Sequence, residues 1–132
     1  MWDKSLYNKD GYEIILYSKE NGRVPFEDFL FKFDLKMKAR IIKCIDRLKE
    51  LGPSIRPPVS KKLNRNIYEL RILVDNSSTR VLYFFYYDRK IVLTHGFVKK
   101  TNKTPRIEIE RANRYRTDWI RREENELRKI KK

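Results

Sequence analysis

The stretch IYELRILVDNSSTRVLYFFYYDRKIVLTHGFV, residues 67–98, decides the fold. It holds three runs rich in Val, Ile, Leu, Tyr and Phe, at residues 67–74, 79–87 and 90–98. The segments DNSS and DR separate them, which predicts an antiparallel meander. Branched and aromatic side chains suit a pleated, buried surface better than a helix.

Turn lengths set a register. A four-residue loop over 75–78 puts Val74 opposite Thr79 and Arg71 opposite Leu82. A two-residue turn at Asp88 and Arg89 puts Tyr87 opposite Lys90 and Leu82 opposite His95. Period-two alternation then gathers Arg71, Leu73, Arg80, Leu82, Phe84, Leu93, His95 and Phe97 on one mixed face. The other face, with Tyr68, Leu70, Ile72, Val81, Tyr83, Phe85, Val92, Thr94 and Val98, reads as core. In this register Arg71, Leu82 and His95 share a row, with Arg80 diagonal to Arg71.

N-terminal to the meander, residues 1–10 read as a loose lead-in anchored by Trp2, Leu6 and Tyr7. Residues 12–17 (YEIILY) form a strand candidate able to join the sheet, followed by an Asn21-Gly22 turn. Pro25 suits the first turn of a short helix, where its missing N–H costs little. Phe26, Phe29, Leu30 and Phe33 follow at helical spacing and read as packing. A second helix is expected over Leu35–Leu51, with Met37, Ile41, Cys44, Ile45 and Leu48 as its apolar stripe and Lys36, Lys43, Arg47 and Lys49 in wetter positions. Gly52-Pro53 ends it. Cys44, within the stripe and lacking a catalytic neighbour, reads as a structural thiol. Residues 52–58 form a constrained connection. Residues 60–66 (SKKLNRN) are a basic approach to the sheet, in which Lys61, Lys62 and Arg65 either contact phosphates or an acidic partner, or simply decorate a solvated loop.

Beyond the meander, KKTNKTPR brings Lys99, Lys100, Lys103 and Arg106 close to a helix start. Thr104 suits the cap of that helix and Pro105 its first position. Ile109, Ala112, Tyr115 and Trp119 make its packing stripe, with Ile120 beside it. The remainder is arginine-rich.

The whole chain, 132 residues, is expected to be one domain, long enough for an ordinary core. Its 32 Lys and Arg against 18 Asp and Glu give a net charge of +14, which favours a polyanionic partner. No run has transmembrane length and no signal-peptide core is evident, so a cytoplasmic location and no membrane partner are expected. With one His and one Cys, no zinc constellation can be drawn, and neither a Gly-rich nucleotide loop nor a serine-hydrolase elbow occurs. No metal or cofactor is expected.

RNA cleavage needs none, because the 2′-OH is an internal nucleophile beside the scissile phosphate. A protein has to align it, manage its proton and stabilise the charge that develops. Arg71 and Arg80 carry the planar donor fork that suits a phosphate, or they pair structurally with Glu69 or Asp75. Lys99 or Lys100 adds charge, or moves a proton if burial lowers its pKa. His95 titrates near the useful range, and is either an acid/base group or a hydrogen-bonded structural histidine. Among the tyrosines, Tyr83 and Tyr87 read as core, and Tyr86 lies on the mixed face.

PFEDFL (residues 25–30), IYELRI leading through NSSTRVLYFF, and IVLTHGFVKKTNKTP before an ERA-containing helix occur in an order that resembles the RelE/HigB superfamily of toxins. The likeness is closest to its phage-derived HigB-like (Gp49-like) branch. The resemblance implies an α+β fold: a compact RelE-like domain with a central antiparallel β-sheet, N-terminal helices and a C-terminal helix. It implies a ribosome-dependent mRNA endoribonuclease that leaves a 2′,3′-cyclic phosphate and a 5′-OH. A cognate helix-turn-helix antitoxin would neutralise it and carry the complex to operator DNA. The resemblance matches Arg71, Arg80, Lys99 and Lys100 and includes His95 in its strand-end pattern, so Arg71, Arg80, His95 and Lys99 are the catalytic candidates. Lys100 and the cations of the two basic segments, Lys61, Lys62, Arg65, Lys103 and Arg106, are the RNA-binding candidates. The late tyrosine of the RelE branch has no clear counterpart, since Tyr115 lies inside a helix. The alternatives are a ParE-like inhibitor of DNA gyrase and a noncatalytic RNA- or ribosome-binding protein.

Overall fold

The computed structural model describes residues 11–73 and 78–130. The expected lead-in, with Trp2, Leu6 and Tyr7, and the pairing of Val74 lie outside them. In chain order the elements are β1 (Glu13–Leu16), α1 (Pro25–Leu30), α2 (Leu35–Leu51), a 3-10 turn (Gly52–Ser54), β2 (Ser60–Lys62), β3 (Tyr68–Arg71), β4 (Thr79–Tyr86), β5 (Lys90–Val98) and α3 (Arg106–Ile130). The class is α+β, and one five-stranded sheet runs in the order β1-β5-β4-β3-β2. Four strands are antiparallel neighbours, while β1 joins β5 in parallel at the edge. No helix among the described residues is long and apolar enough to cross a membrane.

Both faces of the sheet are covered. Phe26 and Phe29 of α1 and Ile41, Ile45 and Leu48 of α2 pack with Leu70, Ile72, Val81, Tyr83, Ile91 and Leu93. Ala112 and Trp119 of α3 pack with Tyr17, Ile67, Leu82, Phe84 and Val92 on the other side. Each large side chain buried in these layers contributes about 1.5–3 kcal/mol. Pro25 starts α1 as expected, and the Asp34 carboxylate caps α2 by accepting from the Met37 N–H at 2.8 Å. Gly96 lets α1 sit against β5, because a Cβ there would come within 2.5 Å of the Phe29 ring. Cys44 is half-buried in the α2 stripe, and burial raises its pKa against the opposing pull of Lys43.

The register departs from the sequence expectation at both connections. Arg71 pairs with Arg80, and Glu69 takes the place opposite Leu82. Ile72 N–H donates to Thr79 O at 3.1 Å, so the connection holds residues 73–78 and is two residues longer than DNSS. An even shift leaves every side chain on its face, so Arg71 and Arg80 still point the same way.

The second departure is a bulge. Leu82 pairs with His95 as expected, but Tyr83 pairs with Leu93, leaving Thr94 as the extra residue of β5. The Thr94 hydroxyl donates to Leu82 O at 3.1 Å. An inserted residue reverses the alternation, which puts Val92 on the α3 face and Leu93 on the α1–α2 face, the opposite of the simple register. At the turn Tyr86 pairs with Lys90, and Asp88 and Arg89 adopt φ of 61° and 57°. Tyr87 therefore belongs to the turn and is 81% exposed, not part of the core.

Two smaller corrections concern the flanks. Ser60–Lys62, read as loop, is a strand on β3, with Lys61 opposite Glu69. α3 begins at Arg106, and Pro105 O accepts from the N–H groups of Glu108 and Ile109, so Pro105 occupies the position expected for Thr104.

Candidate active site

β3 presents Glu69 and Arg71 toward the α3 side, because that strand alternates Leu70 into the opposite core. Glu69 is fully buried, one strand in from the β2 edge of the sheet. A carboxylate can stay there only if charged partners and donors surround it. Its Oε2 lies 3.2 Å from Arg71 Nε and 3.7 Å from Arg80 Nε, and its Oε1 accepts from the Thr104 hydroxyl. Arg80 also donates from Nη1 to Thr79 O at 3.0 Å. The two guanidiniums, directly opposed across β3 and β4, are thus held together by the carboxylate between them.

Lys61 and Lys99 complete a cationic cluster. Lys61 faces Glu69 from β2 and is exposed. Lys99 leaves the end of β5, where its N–H donates to Ser78 O at 3.0 Å and its Nζ to Asn102 O at 2.8 Å. Burial lowers the pKa of Lys99. The charges of Arg80, Arg71 and Lys61 push it the same way, and Glu69 opposes them. Arg80 is shifted downward too, by burial first and by Arg71, again against Glu69. Four cations around one carboxylate leave an excess of positive charge that suits a phosphate.

His95 lies elsewhere. It shares the row of Leu82 and Glu69, two strand spacings (about 10 Å) from Glu69. It is 4% exposed, stacked against Phe97, with Tyr115 of α3 at its edge. Nε2 is 3.1 Å from Glu108 Oε1, which also accepts from Arg111 at 2.6 Å, and Nδ1 is 3.2 Å from the Thr94 hydroxyl. An ionised carboxylate only accepts, so a neutral ring carries its proton on Nε2. Burial lowers its pKa to about 4, outweighing the bond and charge of Glu108, while Arg111 and Arg114 reinforce the fall. The expected row of Arg71, Leu82 and His95 is therefore replaced by two rows, Glu69–Leu82–His95 and Arg71–Arg80–Phe97.

This burial has a pH signature. The unfolded chain protonates His95 near its ordinary value of about 6.5, and the folded chain only near 4. The unfolded state then binds more protons in between, so the contribution is complete above about pH 6.5 and is lost as pH falls toward 4. Its size is on the order of 3 kcal/mol. Urea unfolding from pH 7 to pH 4.5 should show a smaller loss of stability for His95→Gln than for the wild type. An imidazole titrating at or above 6.5 in the folded protein would refute the account.

The other sequence candidates scatter. Lys62 points to the opposite face, with Nζ 5.8 Å from the Tyr68 ring centroid. Arg65 is exposed between β2 and β3, and Lys100 and Lys103 are exposed between β5 and α3. Arg106 is paired with Glu110 at 3.3 Å. Glu69 enters the sequence reading only as a pairing option for the arginines, and Thr104 only as a cap. A lone glutamate in an otherwise apolar strand, on the arginine side of the alternation, is the signal that marks Glu69.

The family model described as Phage derived protein Gp49-like (DUF891) matches residues 28–117, a span containing every member of the cluster. The chain has no match among curated proteins.

Proposed function

This chain belongs to the phage-derived Gp49-like proteins, within the RelE/HigB-like toxins, and on that premise we propose that it is a toxin that cuts messenger RNA on the ribosome. The observation that carries the reading is the convergence of Lys61, Arg71, Arg80 and Lys99 around buried Glu69. In this reading Arg71 and Arg80 take the non-bridging oxygens of the scissile phosphate, and Glu69 fixes the guanidinium planes. The 2′-oxygen attacks phosphorus as the bond to the 5′-oxygen breaks. The 2′-proton leaves to solvent, and the Lys99 ammonium, made more acidic by its surroundings, supplies one to the departing 5′-oxygen. The products are a 2′,3′-cyclic phosphate and a 5′-OH. His95 acts as a positioning residue, holding Glu108 and the start of α3.

The partner of such a toxin is an antitoxin. An acidic antitoxin segment over the cluster would neutralise it, and a helix-turn-helix module on the same protein would bring the complex to operator DNA.

Mapping of 5′-ends in a purified translation reaction, with and without ribosomes, tests the reading. Cuts that need ribosomes are expected. Equal cutting of free RNA would remove the ribosome from the mechanism. Intact message with folded, antitoxin-free protein would overturn the nuclease and favour a toxin that acts by binding a protein target such as gyrase.

A further inference from the structure

α2 carries a charge pattern that the cluster around Glu69 does not use. Lys36, Arg40, Lys43 and Arg47 recur at intervals of four, three and four residues, so they share one side of the helix. All four are exposed, and among the described residues none is ion-paired with a carboxylate. On α3 five of eight cations are paired: Arg106, Arg111, Arg121, Arg122 and Lys129 each meet a carboxylate at 2.6 to 3.3 Å, whereas among the described residues Arg114, Arg116 and Arg128 do not. On α2 the carboxylates Asp46 and Glu50 lie one turn from Lys43 and Arg47, yet among the described residues neither is ion-paired with the stripe.

Their spacing is fixed from below, because Ile41, Ile45 and Leu48 hold the helix in the core. From Lys36 to Arg47 the helix rises about 16 Å. Over that length one strand of a duplex offers about five phosphates. We propose that α2 is a second anion-binding surface that seats the phosphate backbone of duplex RNA. This extends the reading above, on which the RNA is ribosomal. The stripe lies on the opposite side of the sheet from Glu69 and Arg71, so docking and cutting occupy separate faces.

Other polyanions fit less well. A membrane-surface helix turns its apolar side outward among its cations, whereas the apolar stripe of α2 faces the sheet. A protein partner is normally gripped by a central aromatic or aliphatic anchor. The stripe itself consists of Lys and Arg, with Leu35 and Ile42 lying off it.

The test replaces the four residues together, Lys36→Gln, Arg40→Gln, Lys43→Gln and Arg47→Gln. Glutamine keeps helix propensity, and none of the four is in the core. Binding to a 20-base-pair RNA duplex and to purified ribosomes is measured across a KCl series (probe length of about two helical turns). Duplex affinity should fall at least about tenfold, and the slope of log K against log salt should shrink by about 3 to 4. Ribosome affinity should fall in parallel. Lys38→Gln with Lys49→Gln, off the stripe, should leave the slope within about one unit of wild type. Unchanged duplex affinity and slope in the fourfold variant, or an effect seen only on anionic vesicles, would overturn the proposal. Duplex binding through α2 by a wild type that never cuts message would sink the nuclease reading and leave this one standing. Normal ribosome-dependent cutting with α2-independent binding would do the reverse.

Discussion

Arg71→Ala should cut message about 100- to 1000-fold more slowly than the wild type, the usual effect of losing one donor aimed at developing charge. Arg71 Nε is committed to Glu69 at 3.2 Å, and the side chain is 26% exposed. Among the described residues nothing occupies its Nη groups, so they are the donors available to a phosphate. The loss should appear in the rate at saturating ribosome concentration. Arg71→Lys separates charge from shape: it keeps the cation, gives up the planar fork, and should fall between alanine and wild type. Folding should suffer only about 1–2 kcal/mol in the alanine variant, because Glu69 keeps Arg80 and Thr104. A folded Arg71→Ala protein cutting at the wild-type rate would remove Arg71 from the chemistry.

Glu69→Gln should be the more damaging change for folding. Glu69 is fully buried and separates two guanidiniums that face each other across neighbouring strands. Glutamine keeps the volume and removes the charge, leaving Arg71 and Arg80 to repel each other in a poorly solvated place. Breaking a buried ion pair from one side costs about 3–5 kcal/mol. For a chain of this size that corresponds to a fall in Tm of roughly 10–20 °C. The double change Glu69→Leu with Arg80→Met provides the decisive comparison, since replacing both partners by apolar groups removes the uncompensated charge. It should be more stable than Glu69→Gln, and it should not cut RNA. A Glu69→Gln protein that unfolds at the wild-type urea midpoint would show that the carboxylate does not hold the arginines.

The helices were legible because each carries its own punctuation. Pro25 opens α1, Gly52-Pro53 closes α2, and the spacing of Ile109, Ala112, Tyr115 and Trp119 marks the buried side of α3. The meander was legible in its three runs, and Arg71 and Arg80 fell on one face whichever of the two registers was used. Composition alone pointed to a polyanionic partner.

Quantities that depend on pairing escaped this reading. The connection after β3 is two residues longer than its turn-like letters suggest, and this is what brings Glu69 opposite Leu82 and Arg71 opposite Arg80. Nothing local marks Thr94 as a bulge, since β-branched Thr suits a regular strand equally well. Only the packing of Leu93 against α1 and α2, and of Val92 against α3, selects it. His95 shows the same division. The sequence identified a histidine at the end of a strand, but a histidine's pKa is set by what covers it. Here α3 supplies Glu108, Arg111 and Tyr115 from residues 13 to 20 positions further along the chain. The sequence by itself determined the three helices, four of the five strands and which side chains bring charge. The tertiary structure decided which of those charges meet, because register and helix docking are long-range balances that no short window of residues contains.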